Sequence, residues 1–282
     1  MTQIVYGSEL SLKLRAEMKK KIDAWKEEGK RVPCLAVILA GNNPASLSYV
    51  RGKEKACASI GMETRQIHLE ENVSQEELEK VIRECNDDPF VDGILVQLPL
   101  PGGLDENRAI LCIDPSKDVD GLHPVNVGRL FLHEPGFVPC TPLGIMEILK
   151  EMNCSIDGKR AVVIGRSKLV GQPLARLLQD SNATVTVCHS HTKDLKEVCR
   201  GAEILVACIG RANMITADYV REGAYVVDVG INRRPDGHLT GDVDFEGVKD
   251  HAAAITPVPK GVGPMTICML LGNTIKAYEE KL

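Results

Sequence analysis

The feature that most limits what this chain can fold into is a series of short segments that are apolar almost from end to end. CLAVILA (34–40), VDGILVQ (91–97), RAVVIG (160–165), EILVACIG (203–210) and AYVVDVG (224–230) all have strand length. A strand with one wet face alternates apolar and polar residues. Runs without that alternation suit a parallel sheet covered on both faces. Helical spacing fills the intervals. Leu10, Leu14, Met18, Ile22 and Trp25 recur at that spacing over 8–28, with Gly29 as the stop. Further helices are expected over 44–60, ending at Gly61, and from Ser74, where Glu77 completes a capping box. A short strand is expected over 63–69.

Strand–helix alternation builds right-handed β-α-β units on a parallel sheet. In such sheets ligands bind beyond the carboxyl ends of the strands, and Gln97 closes one strand. The stretch 98–141 is rich in Pro, Gly and Asp and reads as a functional loop plus a linker between two domains. A second alternation follows: helix 142–152, strand 160–165, helix 171–180, strand TVTVC (184–188), helix 193–200, then the strands 203–210 and 224–230. The pattern predicts a two-domain α/β protein, with a first α/β domain over 1–121 and a second one over 140–263. A last helix, about 264–282, is expected to pack back on the first domain.

Charge and composition narrow the function classes. With 44% hydrophobic and 26% charged residues over 282, the chain has ordinary globular composition and room for two domains. A formal charge of -5 repels phosphate backbones, so nucleic acid is not an expected partner, although one basic pocket for a small anion stays open. No apolar run approaches the ~18–20 residues that span a bilayer. The start MTQIVYGSEL lacks a secretory signal's basic segment and apolar core, so a cytoplasmic protein with no membrane partner is expected. The ten cysteines include no CxxC pair, so no metal site is expected. Those inside apolar runs read as reduced core residues.

Two segments carry chemistry. VVIGRSKLVGQPL (162–174) is a strand, a glycine turn and a helix start. Gly165 permits a sharp turn, Gly171 a close backbone approach, and the helix N-terminus offers N–H groups to a pyrophosphate. The spacing is not GxGxxG, so the turn alone is weak evidence. The next strand decides the cofactor. NAD enzymes usually end it with an acid for the ribose hydroxyl. Here TVTVC runs into His189-Ser190-His191-Thr192, and Arg166 sits in the turn. That set suits a 2′-phosphate, and NADP is expected over NAD. A surface turn is the plain alternative for the two histidines.

SLSYVRGKEKA (46–56) places Tyr49 and Lys53 four apart, on one face of a helix. A phenol near an ammonium can orient it and tune its proton affinity. From spacing alone the ordinary reading stays ahead: an amphipathic helix with Tyr49 packed and Lys53 solvated. YxxxK also marks short-chain dehydrogenases, but there the glycine turn comes first. Here it follows by about 110 residues, and the order excludes that reading.

The residues SYVRGK (48–53), DGILVQLPLP (92–101), PSKDVDGLHPVNVGRL (115–130), PCTPLGI (139–145), VVIGRSKLVGQP (162–173), TVCHSHT (186–192), VVDVGIN (226–232), GDVDF (241–245) and TPVPKGVGPMT (256–266) resemble the bifunctional methylenetetrahydrofolate dehydrogenase/methenyltetrahydrofolate cyclohydrolase family, in family order across nearly the whole chain. The resemblance implies a catalytic domain and a Rossmann-like domain with a cleft between them, a homodimer, NADP as cofactor and tetrahydrofolate derivatives as substrates. It implies that Lys53 is the catalytic lysine, oriented by Tyr49 and tuned by Gln97, and that Asp120 anchors the pterin. Arg166 and Ser190 would meet the 2′-phosphate, with Gly165, Ser167, Gly171 and Ile231 completing the cofactor site. Pro259, Gly261, Gly263 and Pro264, in PVPKGVGP, would line the folate. Lys260 departs from the family's usual glycine there. Left-handed backbone at that position would cost a lysine roughly 1–2 kcal/mol, or its ammonium could reach the negative tail of folate. A dehydrogenase with weak hydrolysis, a dehydrogenase for another small substrate and a non-catalytic dinucleotide sensor are the competing readings.

Overall fold

The computed structural model describes residues 2–282. The chain divides into two compact units. One comprises Lys13–Cys140 and Ile267–Leu282, and the other the chain up to Leu12 together with Thr141–Thr266. The expected division at 121 and 140 therefore differs at the amino end. Strand β1 (Gln3–Ile4) pairs in parallel with a two-residue strand at Ala254–Ile255, which ties the first residues to the second unit. Helix α1 (Gly7–Glu27) carries the boundary between Leu12 and Lys13.

The first unit is built on β2 (Cys34–Ala40), α2 (Pro44–Ile60), β3 (Glu63–Leu69), α3 (Gln75–Asp87) and β4 (Gly93–Val96). The three strands are parallel in the order β3-β2-β4. The apolar run of β2 is buried at every residue because both its faces are covered. Leu35, Val37 and Leu39 pack with Ile22, Ile60, Leu271 and Tyr278, while Ala36 and Ile38 pack with Leu78, Ile82 and Ile94. Local chemistry fixes the helix ends. The Asn43 side chain caps α2, Gly61 ends it in the left-handed conformation, and Ser74 and Glu77 form a complete capping box on α3. Buried Lys117 donates to the carbonyls of Cys85, Asn86 and Asp88 at 3.0, 2.6 and 2.7 Å, satisfying the open end of α3.

The stretch expected to be loop and linker contains two helices, α4 (Glu106–Cys112) and α5 (Pro124–Leu132). Both are too short to show periodicity. Their caps are residues that also mark loops: Asp105 accepts from Asn107 and Arg108, and the His123 ring accepts from Val125 ahead of Pro124.

The second unit follows with α6 (Cys140–Glu151), β5 (Arg160–Ile164), α7 (Gly171–Asp180), β6 (Thr184–Cys188), α8 (Leu195–Arg200), β7 (Ile204–Ala207), β8 (Tyr225–Asp228), the hairpin β9 (Asn232–Arg233) and β10 (Leu239–Thr240), α9 (Phe245–Val248), β11 (Ala254–Ile255) and α10 (Val262–Glu279). Six parallel strands run in the order β1-β11-β8-β7-β5-β6. From Ile267 onward α10 belongs to the first unit, where Leu270, Leu271, Ile275 and Tyr278 complete the core.

In each unit the chain goes from a central strand to one neighbour and then crosses to the other side. The reversal lies between β2 and β4 in the first unit and between β5 and β7 in the second. A parallel sheet opens a ligand site at the carboxyl side of such a reversal.

Candidate active site

In the first unit the reversal brings Gln97, just past β4, to Lys53 on α2. Lys53 Nζ donates to Gln97 Oε1 at 2.8 Å. The amide is held from both sides: Gln97 Nε2 donates to the Leu98 carbonyl at 2.6 Å and its backbone N–H to Ile38 at 2.9 Å. The oxygen is therefore the end that faces the ammonium. Desolvation pulls Lys53 below the ordinary lysine range, and the Asp120 carboxylate opposes this only in part. Burial likewise pushes the Asp120 carboxyl above its usual range, against the pull of Lys53. Each charged form is penalised, and each favours the other.

The KDVDG segment divides its labour. Asp118 is buried and accepts from the backbone of Leu122 and His123 and from Asn126 at 3.2, 2.9 and 2.8 Å, which fixes the turn. Gly121 has φ +71, and a Cβ there would lie 2.5 Å from the Val138 carbonyl carbon, so only glycine fits. Asp120, between them, is left for the site.

Cys140 is a site residue that the reading of cysteines as core hid. Burial, then Asp120, holds its thiol far above the usual range, so it stays an S–H donor. It donates to the Val119 carbonyl at 3.3 Å beside Asp120. The buried Asn273 of α10 donates to the carbonyls of Val119 and Val138 at 2.8 and 3.1 Å and fixes the same corner. The signal for Cys140 was its place in PCTPLGI. Tyr49 shares α2 with Lys53, but its ring is 50% exposed and the lysine's hydrogen bond goes to Gln97.

In the second unit Gly165 has φ +132, where a Cβ would collide with the carbonyl of Cys208. A Cβ on Gly171 would collide with the carbonyl of Gly165. The two glycines thus require each other, and α7 starts tight against the end of β5. Ser167 Oγ closes the turn by accepting from Val170 and Gly171 at 3.2 and 3.4 Å. Strands β5 and β6 are paired to their last residues, so exposed Arg166 and Ser167 leave the sheet beside exposed Ser190. His189 and Thr192 bond each other's backbone in a tight turn, and no acid ends β6.

Ile231, 51% exposed, has its side chain near Gly263, whose Cβ would lie 3.9 Å away. Pro259 is exposed, Pro264 lies in the first turn of α10, and a Cβ on Gly261 would collide with the Pro257 carbonyl. Lys260 does adopt left-handed backbone, with φ +83, and its carbonyl accepts from Ser8 at 3.1 Å. The strain of roughly 1–2 kcal/mol is partly offset, because glycine costs about 0.4–1 kcal/mol more in lost chain freedom. Lys260→Gly is expected to stabilise the protein by about 1 kcal/mol, read as a higher urea midpoint; a lower midpoint refutes the strain.

An α/β chain with a strand–glycine–helix turn in one unit and, in the other, half-buried Lys53 and Asp120 beside buried Gln97 defines a nucleotide-dependent enzyme with its own proton-handling site. Family models described as the tetrahydrofolate dehydrogenase/cyclohydrolase catalytic domain and NAD(P)-binding domain match residues 5–120 and 139–282. The bifunctional protein FolD of Oceanobacillus iheyensis is 56% identical over 277 residues, covering 98% of this chain and 97% of that protein. That of Desulfovibrio desulfuricans is 55% identical, covering 99% of each. The crystal structure of the bifunctional FolD enzyme of Campylobacter jejuni superposes with a TM-score of 0.98 at 48% identity over 100% of both chains. The FolD structure of Trypanosoma brucei, complexed with NADP and an inhibitor, has a TM-score of 0.94 at 37% identity, covering 99% of this chain and 98% of that one. The chain belongs to the tetrahydrofolate dehydrogenase/cyclohydrolase family.

Proposed function

We propose that this enzyme oxidises 5,10-methylenetetrahydrofolate to 5,10-methenyltetrahydrofolate with NADP and then hydrolyses the product to 10-formyltetrahydrofolate. Family membership supports both steps, and the NADP complex of the Trypanosoma brucei relative supports the cofactor. The observation that carries the reading is the desolvated Lys53 ammonium held by Gln97 in the field of Asp120.

NADP supplies the two-electron acceptor for the methylene carbon. The residues of the turn fit it. Gly165 and Gly171 let the turn pack tight between β5 and α7, and Arg166 and Ser190, which leave the sheet beside it, would meet the 2′-phosphate without an acid to repel it. Ser167 and Ile231 complete that side, and Pro259, Gly261, Gly263 and Pro264 line the folate. Asp120 accepts hydrogen bonds from the pterin's amino and ring N–H groups. Oxidation needs no strong base, because a nitrogen lone pair drives electron loss from carbon. The methenyl product is a cation. Water adds to its carbon and gives up one proton to Lys53; the C–N5 bond of the resulting carbinol then breaks as its hydroxyl proton passes to N5, leaving the formyl group on N10. Desolvation lowers the proton affinity of Lys53 and so favours the neutral amine, the form that can take that proton. Tyr49 flanks the folate on the same helix. The reading includes a cytoplasmic homodimer.

Mixing the enzyme with NADP and methylenetetrahydrofolate tests it. NADPH should form without accumulation of the methenyl cation. Cation build-up would mean a dehydrogenase alone, and no absorbance change a binding protein. The sign of the pH effect follows from Lys53: hydrolysis should quicken as pH rises through the lowered lysine value and then level off. A rate that falls across that range excludes the neutral amine as the base.

A further inference from the structure

Two buried carboxylates of the second unit take no part in that chemistry, and their partners indicate a purpose. Asp242 is fully buried, and among the described residues no cation is paired with it. Its charge is met by the backbone N–H groups of Ile209, Gly210 and Arg211 at 2.6, 3.0 and 2.8 Å and by Asn232 Nδ2 at 2.9 Å. Three consecutive N–H groups turned on one anion form a nest, opened here by Gly210 at φ +77. Asp228, also buried, accepts from Gly230, Asp242 and Val243 at 3.0, 2.9 and 2.9 Å. A Cβ on Gly230 would collide with the Asp242 carboxylate, and one on Gly241 with that of Asp228. The chain is packed directly on both acids.

The segments fixed in this way leave the carboxyl ends of β7 and β8. β7 ends at Ala207 and runs on through Cys208 to Arg211, and β8 ends at Asp228 and leads to Ile231. Cys208 is the residue packed against Gly165 in the glycine turn. A dinucleotide lies across the strand reversal, between β5 and β7. If its 2′-phosphate sits by Arg166 and Ser190 at β6, its nicotinamide end extends toward β7 and β8.

We propose that Asp242 is a positioning residue for the nicotinamide half of the cofactor, acting through the backbone of Ile209–Arg211 and through Asn232. It touches no ligand. By filling the nest it uses up three N–H groups that would otherwise attract the pyrophosphate to the wrong place, and it makes the wall beyond β7 rigid. The adenine half, held at β5 and β6, does not depend on it. The proposal rests on the NADP reading above.

The test is calorimetric titration of the full-length protein and of Asp242→Asn with NADP and with adenosine 2′,5′-bisphosphate, which carries only the adenine half. An asparagine turns an N–H donor toward the nest, so NADP affinity should fall about tenfold or more while bisphosphate affinity stays within about twofold. Unchanged NADP affinity overturns the proposal, as does an equal loss for both ligands, since that is a general loosening of the unit. If Asp242→Asn does not fold, Asn232→Ala decides, because it removes one donor and leaves three. About threefold weaker NADP binding with unchanged bisphosphate binding supports the role, and no change overturns it. Failure of the unaltered protein to bind NADP would instead overturn the cofactor reading on which the role depends.

Discussion

Lys53→Met is expected to cut hydrolysis of methenyltetrahydrofolate by about two to four orders of magnitude, the usual contribution of a positioned proton-transfer group. Methionine keeps most of the volume and cannot accept a proton. Gln97 Oε1 loses its 2.8 Å donor, but its amide stays fixed by Leu98 and Ile38. Oxidation should survive in larger part, because the nitrogen lone pair drives it. The variant should therefore turn NADP and methylenetetrahydrofolate into NADPH and a lasting methenyl absorbance. Hydrolysis at the unaltered rate would remove Lys53 from its assigned role.

Asp92→Ala is expected to destabilise the protein by about 2–4 kcal/mol, measured by urea unfolding. Asp92 is fully buried, and its carboxylate takes both guanidinium nitrogens of Arg31 at 2.6 and 2.7 Å, Lys281 at 3.0 Å and the Cys34 backbone N–H at 3.0 Å. Burial alone would push this carboxyl up. Arg31, the Cys34 N–H and Lys281 win, and it ends below the usual range. The effect stays under that of a fully enclosed pair because Arg31 and Lys281 are each about a third exposed and recover water once the acid is gone. A loss under about 1 kcal/mol would show that these contacts are no stronger than surface pairs. The sign with pH is fixed: the contribution is complete above the ordinary aspartate range and is lost as acid protonates Asp92 through its lowered folded value.

The parts of the fold that could be read in the sequence are those where burial dictates composition. CLAVILA has no polar position because β2 has no wet face, and Gly61 and Ser74 mark helix ends through their own backbone and side-chain chemistry. The pairing of β1 with β11 could not be read, because two-residue strands have no period and their partners lie 251 positions apart. Helices α4 and α5 were hidden because Asp and His caps look like loop residues. At the site, Gln97 stood out as a polar residue ending an apolar strand. Cys140 did not, since a thiol among apolar neighbours has the composition of a core cysteine whatever it faces. The different tasks of Asp118 and Asp120 depend on which backbone N–H groups surround each, which residue type cannot express.

The three-stranded unit has a consequence for biosynthesis. Its core draws Leu270, Leu271, Ile275 and Tyr278 from the end of the chain, the Tyr278 hydroxyl donates to the Arg31 carbonyl at 2.6 Å, and Lys281 reaches Asp92. A ribosome that has translated only Lys13–Cys140 has released every strand of this sheet without the helix that covers one face of it. The half-finished sheet must wait, exposed, until residues 267–278 have been made, while the six-stranded unit already has all its strands by Ile255. Nascent chains stalled before residue 267 should therefore depend most on chaperones at Leu35, Val37 and Leu39.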